Sequence, residues 1–593
     1  MSSKSILYFI FSFFLSVINA QVSLQEISLK QQIENSSLVV EGKVISQKSF
    51  WDTNHKMIYT KHSIQVYKVF KGKPEKNVEV LTIGGFVGMD GIIASHTLEL
   101  QEGSLGVFTL QNSNVSLGLN YKGNQKLYKV YSSAQGFYSY DMYNDLAVGV
   151  FKKRQGIKTA LYSEILGITK KDYVVISSLK SNTNRGVTSK NSLIAADIVS
   201  FSPTTITAGT KSTLTISGSG FGSVKGSVGF RNADNGGSSF INAAESEVLT
   251  WSDNQITVHV PTDGGTGNIR VIDAEGGITE SSAILTIRSS QINVTSNSGD
   301  VFQLQHYDDN NLGGYTLELE SRFFNDSDNQ GARADFEKAV EKWRCETKIN
   351  WEISNVPSNE TTREASGNLI AFDDVVDLEV LPAGNLGTTF SRFSGRSCVG
   401  GSIWFLTSFD ILFNKDVNWH FGDGSMQRNE FDFESVALHE LGHAHQLGHV
   451  INPGDLMHFR TISGFSNRIL DQNSIDAAND IQQRSTTNEI CGDPSLMISY
   501  AGSCTLNLDE EFLANTISVF PNPAKDEFFI KNESSEEFNK LIMYDLRGRQ
   551  VMDYTLNNRF KNEKISTYGL SKGVYILNLE SKNGVITKKL VLQ

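Results

Sequence analysis

The chain has 593 residues, room for several domains at the roughly 100 to 200 residues that each usually takes, and its 39% hydrophobic content supplies their cores. A formal net charge of -12, a pI near 5.5 and the lack of any basic stripe exclude a nucleic-acid partner, whose phosphates require clustered Lys and Arg.

Residues 1–20 predict an export signal. Lys4 supplies a positive start, Ile6 to Ile18 is almost wholly apolar, and Ala20 offers a small residue for cleavage. That run is shorter than the roughly 20 residues a membrane helix needs, and no transmembrane segment is expected elsewhere. In an exported chain the four cysteines suggest two disulfides. Nearest-neighbour pairing joins Cys345 to Cys398 and Cys491 to Cys504, with the other two pairings left open.

Residues 21–180 predict a β-rich domain, with strand-like runs "SLVVEGKVI" (37–45) and "HSIQVYKVFKG" (62–72), and no chemistry is assigned to it. The polar "KSNTNRGVTSKNS" (180–192) reads as a linker. From 196 to 288 the pattern is all-β: Leu214 and Ile216, then Ile256, Val258 and Val260, alternate with polar neighbours, as in strands of a sandwich. "FSPTTITAGTKSTLTISGSGFG" (201–222) resembles the opening of immunoglobulin-like TIG domains, which implies a spacer or a binding module.

Residues 300–486 differ in kind. "ARADFEKAVEKWR" (332–344) sets Phe336, Val340 and Trp343 at helical spacing, "KINWEI" reads as a strand, "GGSIWFLTSFDILFN" (400–414) comes later, and "NSIDAANDIQQ" (473–483) reads as a closing helix. Mixed helices and strands predict an α/β or α+β catalytic unit.

Within it, "HELGHAHQLGH" concentrates four of the chain's eleven histidines. On a helix His439 and His443 share a face and can present two imidazoles to one cation. Glu440 reaches the space beside that cation as a general base toward a zinc-activated water. His445, about 200° around the helix axis from His443, faces elsewhere. His449 serves as the third ligand if the helix ends and the chain turns back, with Gly448 as a flexible joint. Three nitrogen ligands leave a fourth position for water, the mark of a catalytic site.

The extended pattern resembles the HExxHxxGxxH signature of metzincins. That resemblance implies zinc held by His439, His443 and His449, Glu440 as the base, and in "GDLMHF" a Met-turn at Met457, spaced as in matrixins. "FDFESVALHELGHA" (431–444) and "ILDQNSIDAANDI" (469–481) are matrixin-like too. One residue departs: Gln446 stands where the family has glycine, and a left-handed backbone there costs a non-glycine residue roughly 1 to 2 kcal/mol. Alternatively Gly448 moves the turn, and Asp455 is the reserve third ligand. Met457 is expected as an apolar floor under the ligands, His445 and His458 as exposed or lying behind them, and Phe459 where some relatives carry a tyrosine. An extended substrate is expected along an edge strand at "GTTFS" (387–391).

Residues 515–593 are β-rich again. Pro521-Asn522-Pro523, Gly573-Val574-Tyr575 and Lys588-Lys589-Leu590 resemble the marks of the C-terminal sorting domain of type nine secretion in Bacteroidetes, which implies the secretion machinery as a partner and a secreted or surface-attached product.

The expected fold class is therefore multidomain: an α/β zincin (metzincin-like) catalytic domain flanked by all-β domains. The expected function is a secreted zinc endopeptidase acting on protein or peptide substrates with one catalytic Zn2+, a Ca2+ requirement being left open. The alternative is a surface adhesion or binding protein whose zincin-like domain is idle; an intact Glu440 favours the enzyme. Matrixins often hold a propeptide cysteine on the zinc, yet no cysteine precedes Cys345. Either the N-terminal β domain blocks the cleft with another group or the enzyme is made active.

Overall fold

The computed structural model describes residues 24–593 apart from 114, 116–125, 180–195, 297–298, 328, 360–366, 375–379, 494–495, 503, 505–516, 533–536, 546–548, 558–559 and 582–584. The expected export signal and the linker at 180–192 lie outside the described residues. The β-branched runs near the N-terminus fold as the antiparallel strands Leu38–Trp51 and Ile58–Lys71. Their sheet closes on itself, because Leu38–Trp51 also pairs with Leu105–Asn112. Alternation puts Val40, Val44, Ile64 and Val66 inside with essentially no exposed surface. One hairpin, Gly85–Val87 with Asp90–Ala94, leaves this sheet and joins another.

Residues 197–291 form packed sheets, antiparallel except for one parallel pair. Leu214 faces Val258 and Ile216 faces Ile256, and these four side chains lie in one buried core with Val228, Phe230 and Val271. The last strand, Thr286–Gln291, pairs in parallel with Thr205–Ala208 and on its other side with the two residues Leu447–Gly448.

The part that follows is built on a mixed sheet. Its strands run in the order Trp351–Ile353, Tyr315–Leu319, Leu369–Phe372, Gly401–Phe413, Gly387–Cys398, and then Asp90–Ala94 and Gly85–Val87 from the N-terminal hairpin. The first four pair in parallel, and Gly387–Cys398 runs antiparallel to Gly401–Phe413. On this sheet pack the helices Ala332–Thr347 and Phe433–Ala444. Phe336, Val340 and Trp343 are wholly buried, as their spacing predicts, and Trp343 Nε1 donates to Leu438 O at 3.0 Å, tying one helix to the next. Gln472–Thr487 is the closing helix.

The disulfides correct the nearest-neighbour expectation. Cys398 pairs with Cys491, at a Cα separation of 5.4 Å, and Cys345 and Cys504 are also disulfide-bonded. Strand geometry explains it: Cys398 ends the strand Gly387–Cys398, and the chain after the closing helix returns to that corner, where Arg396 meets Asp493 at 2.8 Å.

The C-terminal unit, Gly502–Gln593, is a separate compact body. Its two sheets, Ile517–Phe520, Glu527–Asn532 and Asn562–Ser566, and Gln550–Thr555, Phe538–Asp545, Gly573–Ser581 and Val585–Leu592, enclose Phe528, Ile530, Leu541 and Leu577. The molecule is thus multidomain and mostly β, with few helices. No described helix is long and apolar enough to cross a membrane.

Candidate metal centre

The helix Phe433–Ala444 begins at Asp432, whose carboxylate caps it by accepting from Ser435 N at 2.9 Å and is gripped by Arg468 at 2.6 Å. Spacing of four places His439 and His443 on one face, with ring centroids 4.6 Å apart. The helix stops because Gln446 adopts φ 69°, the left-handed conformation that the family glycine would take. Gly448 is not the turning residue; its role is close approach, since a Cβ there would meet Ser290 Oγ at 2.7 Å. Neighbouring backbone holds the strained turn: Ile292 N donates to Gln446 O at 2.8 Å, and Leu447 and Gly448 pair with Gln291 and Ser290. The chain thereby returns His449 to within 4.8 Å, centroid to centroid, of His443.

Each of the three rings has one nitrogen committed and one free. His439 Nδ1 donates to Leu456 O at 2.9 Å, His443 Nδ1 to Leu447 O at 2.9 Å, and His449 Nδ1 to the Asp234 carboxylate at 2.6 Å. The three Nε2 atoms are buried without a hydrogen-bond partner. Burial pushes all three rings below the ordinary histidine range, to about 4 for His443, so they are neutral at pH 7 with lone pairs available. Orphaned, convergent, neutral imidazoles fit a divalent metal ion and fit little else. A fourth ring joins them: His96, from just beyond the N-terminal hairpin, contributes a nitrogen to a set of four that lie within 4.8 Å of one another.

Glu440 lies against this cluster, wholly buried. Its Oε1 is 3.2 Å from His96 Nε2, and its Oε2 accepts from Ser95 Oγ at 3.0 Å and Thr389 Oγ1 at 2.8 Å. Burial alone would raise its pKa, but His96, whose ring lies against the carboxylate, outweighs that and holds it below the ordinary carboxylate range. Gly387 makes room, since a Cβ there would fall 2.9 Å from Glu440 Cγ. Beneath the helix Met457 is buried with its sulfur so close to Gly442 that a Cβ there would meet Sδ at 2.4 Å. Its backbone O accepts from Val450 N, joining the turn to the segment that carries His449.

Comparison with known families agrees with this arrangement. Residues 306–483 match the matrixin family model. Over that stretch the chain is similar to matrixins. Residues 196–295 match the IPT/TIG domain, and residues 518–593 match the secretion system C-terminal sorting domain, which indicates secretion and cell-surface attachment. A beta-agarase A of Zobellia galactanivorans is 35% identical over 82 residues, which is 14% of this chain and 14% of that protein.

Around the matrixin site some expectations change. Asp455 stands outside the histidine cluster and accepts from Asn452 Nδ2 at 2.6 Å. His445 does face away from the cluster, but it is wholly buried rather than exposed, between Trp343 and Trp351, with Nε2 3.2 Å from Thr347 Oγ1 and Nδ1 3.3 Å from His306 Nε2. The hydrophobic wall on the far side of the helix leaves it no route to water. His458 is also buried, bonded to Arg460 O. Phe459 packs on Phe151 and against Gly236 of the TIG domain. Sequence reasoning missed Ser95, His96 and Asp234. His96 and Asp234 lie 344 and 215 residues from the site residues they bond, in segments without a metal motif.

Asp234 sits on a TIG loop and is half-exposed, yet it alone fixes which His449 nitrogen carries the proton. Asp234→Asn is expected to weaken metal binding by about 10- to 100-fold, read by competition with a chelator, with the fold retained by circular dichroism. An unchanged affinity contradicts the role given to Asp234. A second expectation concerns pH. Burial pulls His445 to about 4, below its unfolded value of about 6.5, so protons favour the unfolded chain. The stability it contributes is whole above about pH 6.5 and is lost as pH falls toward 4, at most about 3 kcal/mol. Melting temperature of the metal-free chain should fall over that window, less steeply in His445→Asn; identical slopes contradict a buried neutral ring.

Proposed function

We propose that the chain is a secreted zinc-dependent endopeptidase whose α/β zincin domain, about 300–486, is flanked by an N-terminal β domain (21–180), a TIG sandwich (196–288) and a sorting domain (515–593). One observation carries it: three orphaned Nε2 atoms, from His439, His443 and His449, converge beside the ionised Glu440. Nitrogen ligands without cysteine suit zinc in a catalytic role. When bound there, zinc lowers the pKa of a water and polarises the scissile carbonyl.

The chain's own residues do the rest. Glu440 takes the proton from the attacking water and passes it to the nitrogen of the leaving amine, so it returns to its starting state. Thr389 Oγ1, bonded to both the carboxylate and the backbone O of Glu440, holds the base in position. The strand Gly387–Cys398, expected as an edge strand, carries Asp90–Ala94 on its outer edge; with that strand gone it would offer main-chain groups to an extended polypeptide and set a peptide bond across the helix that carries His439 and His443. Met457 supports that helix from below through the gap at Gly442. The sorting domain delivers the enzyme to the secretion machinery, and its substrates are proteins or peptides met outside the cell.

The test separates base from ligands. Glu440→Gln should lower cleavage of a mixed peptide library by about 100-fold or more with metal content unchanged, measured after limited proteolysis that removes the N-terminal region. His449→Ala should lose tight metal binding and Asp455→Ala should not. Undiminished cleavage by Glu440→Gln, or metal lost with Asp455 rather than His449, would overturn the assignment.

A further inference from the structure

Residues 90–96 lie against both the histidine cluster and the strand Gly387–Cys398. The strand Asp90–Ala94 lies antiparallel along the outer edge of Gly387–Cys398, in register from Ser394 with Asp90 to Phe390 with Ala94. This is the edge on which an extended peptide would add. A side-chain bond and a further backbone bond reinforce the pairing: Ser394 Oγ donates to Asp90 Oδ1 at 2.9 Å, and Gly395 N donates to Met89 O at 2.7 Å. At its end Ser95 N donates to Thr389 O, and Ser95 Oγ accepts from Thr389 N, each at 2.9 Å.

The next residue turns inward. His96 has φ 57°, a left-handed backbone that a histidine holds only at a cost, and strain of this kind collects where a side chain must be aimed. The ring is buried, with centroids 4.9 to 5.4 Å from those of His439, His443 and His449. Its Nε2 is within hydrogen-bond distance of Glu440 Oε1, and its Nδ1 is buried with no partner. It therefore repeats the pattern of the other three rings: one nitrogen held by a neighbour, the other left over. Donation from Nε2–H to the carboxylate leaves the Nδ1 lone pair for a metal.

We propose that His96 is a fourth ligand of the metal in the intact chain, and that the segment 90–96 is a built-in occupant of the active site which keeps the enzyme latent. The assignment rests on the zinc peptidase reading above. It makes the full-length site a closed four-nitrogen centre, the coordination of a structural metal rather than a catalytic one. Glu440 is engaged at the same time, since both of its oxygens are bonded to Ser95, His96 or Thr389. Activity then requires the N-terminal region to leave, and the departing group is an imidazole with its strand.

The test uses the full chain loaded with Co2+ in place of zinc and azide as the probe. Azide should leave the visible absorption bands of the intact protein unchanged, and should shift them in His96→Ala and in His96→Asn, the latter chosen because asparagine tolerates the left-handed backbone. Peptide cleavage should be absent from the intact chain and should appear once limited proteolysis removes the N-terminal region, whose strand Asp90–Ala94 covers the outer edge of Gly387–Cys398. If azide shifts the bands of the unaltered chain as readily as those of the variants, His96 is not a ligand, while the peptidase reading stands. If Co2+ binds none of the three proteins, the metal reading itself fails. Should His96→Ala unfold, the spectrum of folded His96→Asn decides the matter alone.

Discussion

A ring nitrogen buried without a partner is costly, and here it recurs at one point from four histidines. The cost is tolerable only where something other than a protein hydrogen bond receives the lone pairs. The surrounding chain is arranged to keep those lone pairs convergent. Two backbone carbonyls and a carboxylate fix the opposite nitrogens of His439, His443 and His449, a glycine lets a methionine press under the helix, and a left-handed glutamine returns the chain.

The supports come from widely separated parts of the sequence. The matrixin domain provides the helix and the turn, the TIG domain the carboxylate behind His449, and the N-terminal region a strand, a hydroxyl and an imidazole. The apparent string of modules is thus a single working body up to Ala501. Its sheets cross module boundaries, with Asp90–Ala94 completing the sheet on which the histidine-bearing helix packs and Leu447–Gly448 extending a TIG sheet.

Local chemistry was legible in the sequence. Helical periodicity placed Phe336, Val340 and Trp343 inside, period-two alternation placed Leu214 and Ile256 inside, and spacing of four and six put three histidines together. Gln446 looked like a departure and turned out to take the left-handed conformation regardless, because backbone bonds from the TIG strand hold it there. What sequence could not show was whatever depends on non-local pairing. His96 sits in an apolar run that reads as an ordinary strand end, and Asp234 in a short turn that reads as a loop. Cys398 found Cys491 through the sheet, against the order of the chain. His445 and His458 read as polar and proved buried, because a single sequence does not reveal which face of a segment meets a second layer.

The carboxylate behind His449 has an implication for how such a protein is put together. His96 and Asp234 meet the same histidine cluster, under the proposal one obstructing it and the other sustaining it, and they belong to different modules. Maturation that discards the first must spare the second, so the natural place to divide the polypeptide falls between them. The immunoglobulin-like module, by outward appearance mere scaffolding, would then travel with the mature peptidase as a permanent component of its metal chemistry, and could not be exchanged for an unrelated module of the same shape.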